Sequence, residues 1–231
     1  MFKNKTFLAI IPARGGSKRL PRKNILNLCG KPLISWSIEA GLKSKYIDKV
    51  VVSSDDTEIL NISNELKVQV IKRPDELASD TSTSFDAVKH AIDNLESYEY
   101  ILLLQPTSPL RNENHIDKAI ELLEEKNADA VVSVCEMNHS LLWSNTLDDS
   151  LSMEGFISDN LLNNRSQDLK KHYRLNGAIY LCKTDKFLKE KSFFLKKNIF
   201  AYVMNSNNSI DIDRKEDFEL ASLYLSQKTI T

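Results

Sequence analysis

The chain is short of several things, and each shortage excludes something. Only three cysteines occur, Cys29, Cys135 and Cys182, far apart and with no CxxC pair. That pattern excludes a zinc cage built on paired thiols. It suits a reducing compartment, so a cytoplasmic location is expected. No apolar run approaches the ~20 residues that span a bilayer, and no membrane partner is expected. An excess of one charge is missing too. The 31 basic and 32 acidic residues leave a net charge of −1, so bulk electrostatics give no reason to expect a nucleic acid. There is no internal repeat and no low-complexity tract. The opening MFKNKTFLAIIPARGG pairs a basic residue with a short apolar run, but Pro12-Ala13-Arg14 ends that run at Ile11. It is too short for the apolar stretch of a leader, and a first strand is expected there.

What remains is ordinary globular usage: 231 residues, 42% hydrophobic and 27% charged. That is enough for one sizeable core, with or without an appendage. Short runs rich in Val, Ile and Leu are expected as strands at Phe7–Ile11, Lys49–Ser53, Gln69–Ile71, Tyr100–Leu104, Ala130–Val134, Gly177–Leu181 and Phe200–Met204. Helical stripes lie between them, such as Phe85, Val88, Ile92 and Leu95, or Ile116, Ala119, Ile120 and Leu123. Ser82 or Thr83 offers an N-cap to the first of these, Asn112 or Asn114 to the second. A last helix is expected from about Glu216 to Leu225. Strand and helix in alternation predict an α/β fold, a doubly wound, mostly parallel sheet. The rhythm fails over residues 136–172. That segment reads as an excursion from a main domain made of 1–135 and 173–231. A plain surface loop is the alternative, but an ordered excursion of such length tends to have a function or a partner.

The densest chemical signal is Pro12-Ala13-Arg14-Gly15-Gly16-Ser17-Lys18-Arg19-Leu20-Pro21-Arg22-Lys23-Asn24. It leaves the carboxyl end of the first strand, where open α/β sheets bind ligands. Gly15-Gly16 lets backbone amides approach an anion. Arg14, Arg19 and Lys23 can neutralise phosphate charge. The loop is neither a Walker A motif nor GxGxxG. A solvated basic loop is the plain alternative.

A second signal is Ser209-Ile210-Asp211-Ile212-Asp213. On extended backbone the two aspartates share one face and the two isoleucines the other. Two carboxylates ~7 Å apart can share a Mg²⁺ site. Asp213 could instead cap the last helix. Gln105 ends an apolar strand at its carboxyl edge, placed to meet a ligand or a neighbouring loop. Arg73, before Pro74, is expected in extended or turn backbone. Ser82 and Ser84 lie at a predicted helix start with free amides, for capping or for binding. Arg174, Asn176 and Tyr180 fall on one face of a strand at period two. Arg111 reads as a loop brace with a ligand role open, and His139 as a structural hydrogen-bonding residue.

The stretches IIPARGGSKRLPRKN and GKPLISWSI, then VVSSDD, RPDELASDTSTS, LLLQPTSPLR, YRLNGAIYL and SIDID, resemble in order the blocks of acylneuraminate cytidylyltransferases, the CMP-sialic acid synthetases. The resemblance covers nearly the whole chain. CMP-Kdo synthetases share the opening loop but not the QPTSPLR and RxNGAIY blocks. The resemblance implies a Rossmann-like nucleotidyltransferase that joins CTP to a nonulosonic acid and releases pyrophosphate. It implies that Arg14 and Lys23 hold the triphosphate, and that Asp211 and Asp213 bind Mg²⁺ (or Mn²⁺). Asn24, Arg73, Ser82 and Ser84 would meet the nucleotide. Gln105, Arg165, Arg174, Asn176, Tyr180, Phe193 and Phe194 would meet the sugar. The excursion would be a dimerisation arm covering the partner's site, in a homodimer. One departure stands out. Sialate-specific members place a Lys after the turn near His139, and this chain has Leu142 or Trp143 there. That makes legionaminic or pseudaminic acids candidates beside sialic acid. The alternatives are a nucleotidyltransferase for another sugar acid such as Kdo, or a non-catalytic nucleotide- or RNA-binding module.

Overall fold

Seven apolar runs become seven strands of one sheet. The computed structural model describes residues 2–162, 164, 165 and 168–229. The chain forms β1 (Phe7–Pro12), a small ribbon of β2 (Asn27–Leu28) and β3 (Lys31–Pro32), α1 (Leu33–Lys43), β4 (Lys49–Ser54), α2 (Thr57–Glu65) and β5 (Gln69–Lys72). It continues through α3 (Ser84–Asp93), β6 (Tyr100–Leu103), α4 (Glu113–Glu125), β7 (Ala130–Glu136), β8 (Tyr173–Lys183), α5 (Thr184–Glu190), β9 (Ile199–Met204) and α6 (Lys215–Thr229). The main sheet has the order β5-β4-β1-β6-β8-β7-β9. Neighbours are parallel except at β8, which runs against both β6 and β7. The expected doubly wound, mostly parallel sheet is there, with one reversed strand. The crossover through α4 skips a position, and β8 returns into that gap.

Period two divides the strand side chains between two cores. Phe7, Ala9 and Ile11 of β1 join Val50, Val52 and Leu102 under α1, α2 and α4. Leu8 and Ile10 join Val51, Ile101 and Leu103 under α3 and α5. Burial on both faces is why these strands read as continuous apolar runs. A third cluster of Leu28, Leu33, Leu110, Ile212, Ala221 and Leu225 fastens α6 and the segment before it to the ribbon and α1. The caps are local. Asp56 accepts the amides of Glu58 and Ile59 at the start of α2, Thr83 forms a capping box with Asp86, and Asn112 caps α4.

Two features were not anticipated: α5 and the ribbon, whose Cys29-Gly30 turn has both residues at positive φ. One expectation fails. Val132 faces Tyr180 but Val134 faces Leu175, so β8 spends five steps where β7 spends two. These three extra residues lie opposite Ser133. An odd insertion reverses the alternation, so Arg174, Asn176 and Tyr180 do not share one face. Asn176 is buried inside the bulge. Its Oδ1 meets Ser133 Oγ at 2.6 Å, and its amide donates to Ser209 Oγ at 2.9 Å.

The segment between β7 and β8 adds no strand to the main sheet among its described residues. Its described residues hold two single-turn 3₁₀ helices, Leu141–Trp143 and Asp159–Leu161. Leu151, Met153 and Leu162 on it are largely exposed, at 69%, 60% and 60%.

Candidate active site

The basic loop after β1 and the acid pair before α6 lie 190 residues apart in sequence and meet in space. Lys23 donates from Nζ to the Ile212 carbonyl at 2.6 Å and to Asp213 Oδ1 at 3.1 Å. Arg19 donates to Asp213 Oδ2 at 2.9 Å. Ile212, buried between the two aspartates, is held by the third core cluster and by its amide bond to the Thr107 carbonyl at 2.8 Å. The helix-cap alternative for Asp213 does not hold. It is Asp217 that accepts the amides of Asp213 and Arg214, at 3.0 and 2.8 Å.

The two acids differ in environment. Asp211 is crowded by protein although part of it reaches solvent. That crowding, together with the charge of Asp213, outweighs a Thr107 hydrogen bond and Lys23 and pushes its carboxyl up. For Asp213, desolvation acts in the same upward sense but Lys23 and Arg19 overcome it and hold the carboxyl down. Among the described residues no group of three or more His, Cys, Asp or Glu converges. Two carboxylates with several positions left for phosphate and water are what Mg²⁺ takes in nucleotide sites. Desolvation and the charge of Asp213 act against the Asp211 anion, and a dication between the two would oppose both. The residues fit the ion.

A cavity of about 480 Å³ opens over this meeting point. Arg14, Lys23, Asn24 and Asp213 line one side; Arg73, Ser82 and Ser84 line another, with Gln105 at the end. Arg73 is 4% exposed, and its Nε has no partner among the described residues. Burial pushes its guanidinium down against the pull of Asp55. Asn24 is buried with its amide on the Arg14 carbonyl at 3.0 Å, while its Oδ1 is unpaired. Buried polar atoms without partners cost stability, and here two of them belong to residues lining one cavity. Ser82 sits in the loop before α3, bonded to the Glu76 carbonyl at 2.8 Å.

A second cavity of about 480 Å³ adjoins the first, sharing Thr83, Ser84 and Gln105. Its walls are aromatic: Tyr180, Phe187, Phe193 and Phe194, with Lys191 at the rim. Gly177 lies at the seam. A Cβ there would fall 2.7 Å from Gln105 Oε1 and 3.3 Å from Asp211 Oδ2, and its φ is +73°. The bulge of β8 thus brings bare backbone against Gln105 and Asp211.

Three residues expected at the site lie elsewhere in the single chain. Asn176 is spent on the bulge. Arg174 donates to the Leu175 and Ser209 carbonyls at 3.3 and 3.2 Å and lines neither cavity. Arg165 is out on the excursion, paired with Asp168 at 3.3 Å.

Sequence reasoning missed the acids that hold the basic loop. Arg14 pairs with Asp80 at 3.0 Å, Lys18 with the same Asp80, and Arg22 with Asp56. Asp55 accepts the Gly15 amide at 3.3 Å. A Cβ on Gly15 would fall 2.5 Å from Asp56 Oδ2, so glycine is required there. Each of the five loop cations thus has an acid partner within the chain, although Asp80 and Asp213 each serve two of them. Exposed pairs of this kind contribute ~0–1 kcal/mol each and yield readily to a polyanion. The aspartates of SSDD and ASD were visible in sequence, but nothing local tied them to the loop.

A family model described as "Cytidylyltransferase" matches residues 8–230. The chain is 40% identical over 215 residues to an N-acylneuraminate cytidylyltransferase of Escherichia coli O18:K1:H7, covering 93% of this chain and 51% of that protein. The chain spans about half the length of the first curated relatives it matches. It is 36% identical over 221 residues to a pseudaminic acid cytidylyltransferase of Campylobacter jejuni, covering 94% of each. The fold is similar to that of a CMP:2-keto-3-deoxy-manno-octonic acid synthetase solved with CTP, with a TM-score of 0.74, 16% identity, and coverage of 96% of this chain and 99% of that one. Sequence blocks, sheet order and family match agree, and the chain belongs to the cytidylyltransferase family.

Proposed function

We propose that the chain joins CTP to a nonulosonic acid, giving a CMP-sugar and pyrophosphate. The observation that carries this reading is the contact of Lys23 with Ile212 and Asp213, which puts a phosphate-neutralising loop and Asp213 at one cavity, with Asp211 two residues away beside Gln105 and Gly177. The anomeric hydroxyl of the acceptor attacks the α-phosphorus of CTP in line. The bond from α-phosphorus to the bridging oxygen breaks, and pyrophosphate leaves with the electron pair. The hydroxyl proton passes through a water to Asp211, or to solvent. Arg14 and Lys23 neutralise the triphosphate. Asp211 and Asp213 hold Mg²⁺ (or Mn²⁺), which when bound offsets charge on the phosphate oxygens.

Asn24, Arg73, Ser82 and Ser84 offer both donors and acceptors to cytosine, as base choice requires. Gln105 faces the sugar. Tyr180, Phe193 and Phe194 accept an acylamino or deoxy end in the aromatic cavity. Absence of a lysine after His139 favours legionaminic- or pseudaminic-type acids. The chain works as a homodimer in which the excursion covers the partner's site, bringing Arg165 towards it. The exposed Leu151, Met153 and Leu162 support such covering. Among the described residues no helix is long and apolar enough to cross a membrane, and a cytoplasmic site of action is part of the proposal.

The test is the purified chain with CTP, Mg²⁺ and a panel of nonulosonic acids and Kdo, followed by pyrophosphate release and mass spectrometry of the product. A CMP-nonulosonate is expected. Turnover of Kdo alone, or of none, would overturn the reading.

A further inference from the structure

Arg111 is 1% exposed, among the largest fully buried side chains of the molecule. It has no carboxylate partner among the described residues. Its Nε donates to the Ala178 carbonyl at 3.3 Å, and Nη2 donates to Ser37 Oγ at 2.6 Å and to the Gln105 carbonyl at 3.3 Å. Ser37 Oγ in turn donates to the same Gln105 carbonyl at 3.2 Å. Nη1 has no partner among the described residues. A lone buried cation costs stability unless its surroundings repay it, and a chain does not need one to fill space. Burial pushes the guanidinium down to about 9, so it stays charged at pH 7.

Its three partners come from three elements. Gln105 follows β6, Ala178 lies in the bulge of β8, and Ser37 is on α1. The side chain of Gln105 and the backbone of Gly177, next to Ala178, form the seam of the two cavities beside Asp211. A planar fork of donors reaches several carbonyls at fixed angles, which an ammonium on a flexible stem does not. We propose that Arg111 is a positioning residue that sets the gap between Gln105 and Gly177, and so the approach of the acceptor to Asp211. It touches no substrate. It acts through the two carbonyls that it holds. The inference rests on the cytidylyltransferase reading and adds to it a group that tunes the acceptor side alone.

The experiment uses the full chain, the acceptor that the wild type turns over best, Arg111→Lys and Ser37→Ala. Pyrophosphate release is followed with acceptor and CTP varied separately, and CTP affinity and melting are measured beside it. Arg111→Lys is expected to lower acceptor kcat/KM by about 10²-fold, the scale of a 1 Å misplacement, with CTP affinity within about twofold of wild type. Ser37→Ala loses a smaller part of the same clamp and should fall in the same direction by roughly fivefold. If Arg111→Lys does not fold, Ser37→Ala decides. Unchanged acceptor kinetics in the folded variants would overturn the inference, and so would CTP affinity falling in parallel, because a general loosening would then explain both. A wild-type chain that releases no pyrophosphate with any acid sinks the cytidylyltransferase reading and this inference together, whereas an active wild type with unaffected variants sinks this inference alone.

Discussion

The two sides of the sheet end in different states of completion. On the β5-β4-β1-β6 side, every cation of the basic loop has an acid within the chain, and the core alternation is filled on both faces. On the β8-β7-β9 side, Leu175 of β8 and Val203 of β9 are half exposed, and the excursion adds Leu151, Met153 and Leu162. The first side pairs its loop cations within one chain, while Arg73 Nε and Asn24 Oδ1 stay unpaired at the cavity proposed for the nucleotide. The second leaves apolar surface that water penalises, and it is where the proposed acceptor pocket and its missing Arg165 belong. Under the proposed function, nucleotide binding would be a property of the single chain and acceptor turnover a property of the proposed dimer.

The sharpest way to break that contrast is Asp211→Ala, at the point where both sides meet. Turnover should fall by roughly 10²–10³-fold, the range for removing one preorganised charge-stabilising group. Melting at pH 7 should hold or rise. A carboxyl whose folded value is raised is less stable as an anion in the fold than in the unfolded chain, so removing it relieves the fold. Near-wild-type turnover would remove the catalytic role. Lys23→Ala comes next. It deletes charge-assisted bonds to Asp213 and Ile212 and a cation facing the triphosphate, so CTP should bind about 10- to 100-fold more weakly. CTP affinity that did not move would detach the loop from the phosphates.

The second side is probed by Leu151→Asp with Met153→Asp. The wild type should run as a dimer in light scattering and the double variant as a monomer. Acceptor turnover should fall while CTP affinity stays, because only the acceptor side depends on the partner. A monomeric wild type with full turnover would refute the comparison. Smaller again is Asp56→Ala, confined to the finished side. Asp56 caps α2, and Arg22 and the amides of Glu58 and Ile59 hold its carboxyl below its ordinary 3.8 although desolvation works against them. The stabilisation is present above 3.8 and lost as pH falls through the lower folded value. The variant should be ~1 kcal/mol less stable at pH 7, with the two urea curves converging in acid. A constant difference down to pH 2 would show that packing, not the ionised cap, carries the effect.

How much was legible in the sequence follows the same division. The basic loop, the SIDID pair and seven strands were readable because each is written in consecutive residues: two glycines among cations, two acids alternating with isoleucines, short apolar runs. The reversed direction of β8 was not, because direction is set by pairing with β6 and β7, far away in the chain. The three-residue bulge was hidden for the same reason, and it is what separated Arg174, Asn176 and Tyr180, which period two had put on one face. Arg111 follows Pro-Leu in a loop and reads as a loop brace, but its full burial depends on three distant elements that close over it. Asp80 carries no local signal that ties it to the loop, and only the fold shows it holding Arg14 and Lys18.

That last contact gives the smallest effect and the one of opposite sign. Asp80 faces the cavity with Arg14 on one oxygen and Lys18 on the other, and the Lys18 and Arg14 hydrogen bonds hold its carboxyl down. A triphosphate entering the cavity must take Arg14 from it. Asp80 is also a negative charge beside the phosphates. Asp80→Asn keeps the shape, frees both cations and removes the repulsion, so CTP should bind more tightly, by roughly two- to threefold for an exposed pair at low salt. The gain should shrink at 0.5 M salt, where the screening length is a few ångströms. Acceptor KM should not change, since the aromatic cavity does not include Asp80. Weaker CTP binding in this variant would mean that Asp80 orders the loop for the nucleotide instead of competing with it, and the first side would then be less finished than its ion pairs imply.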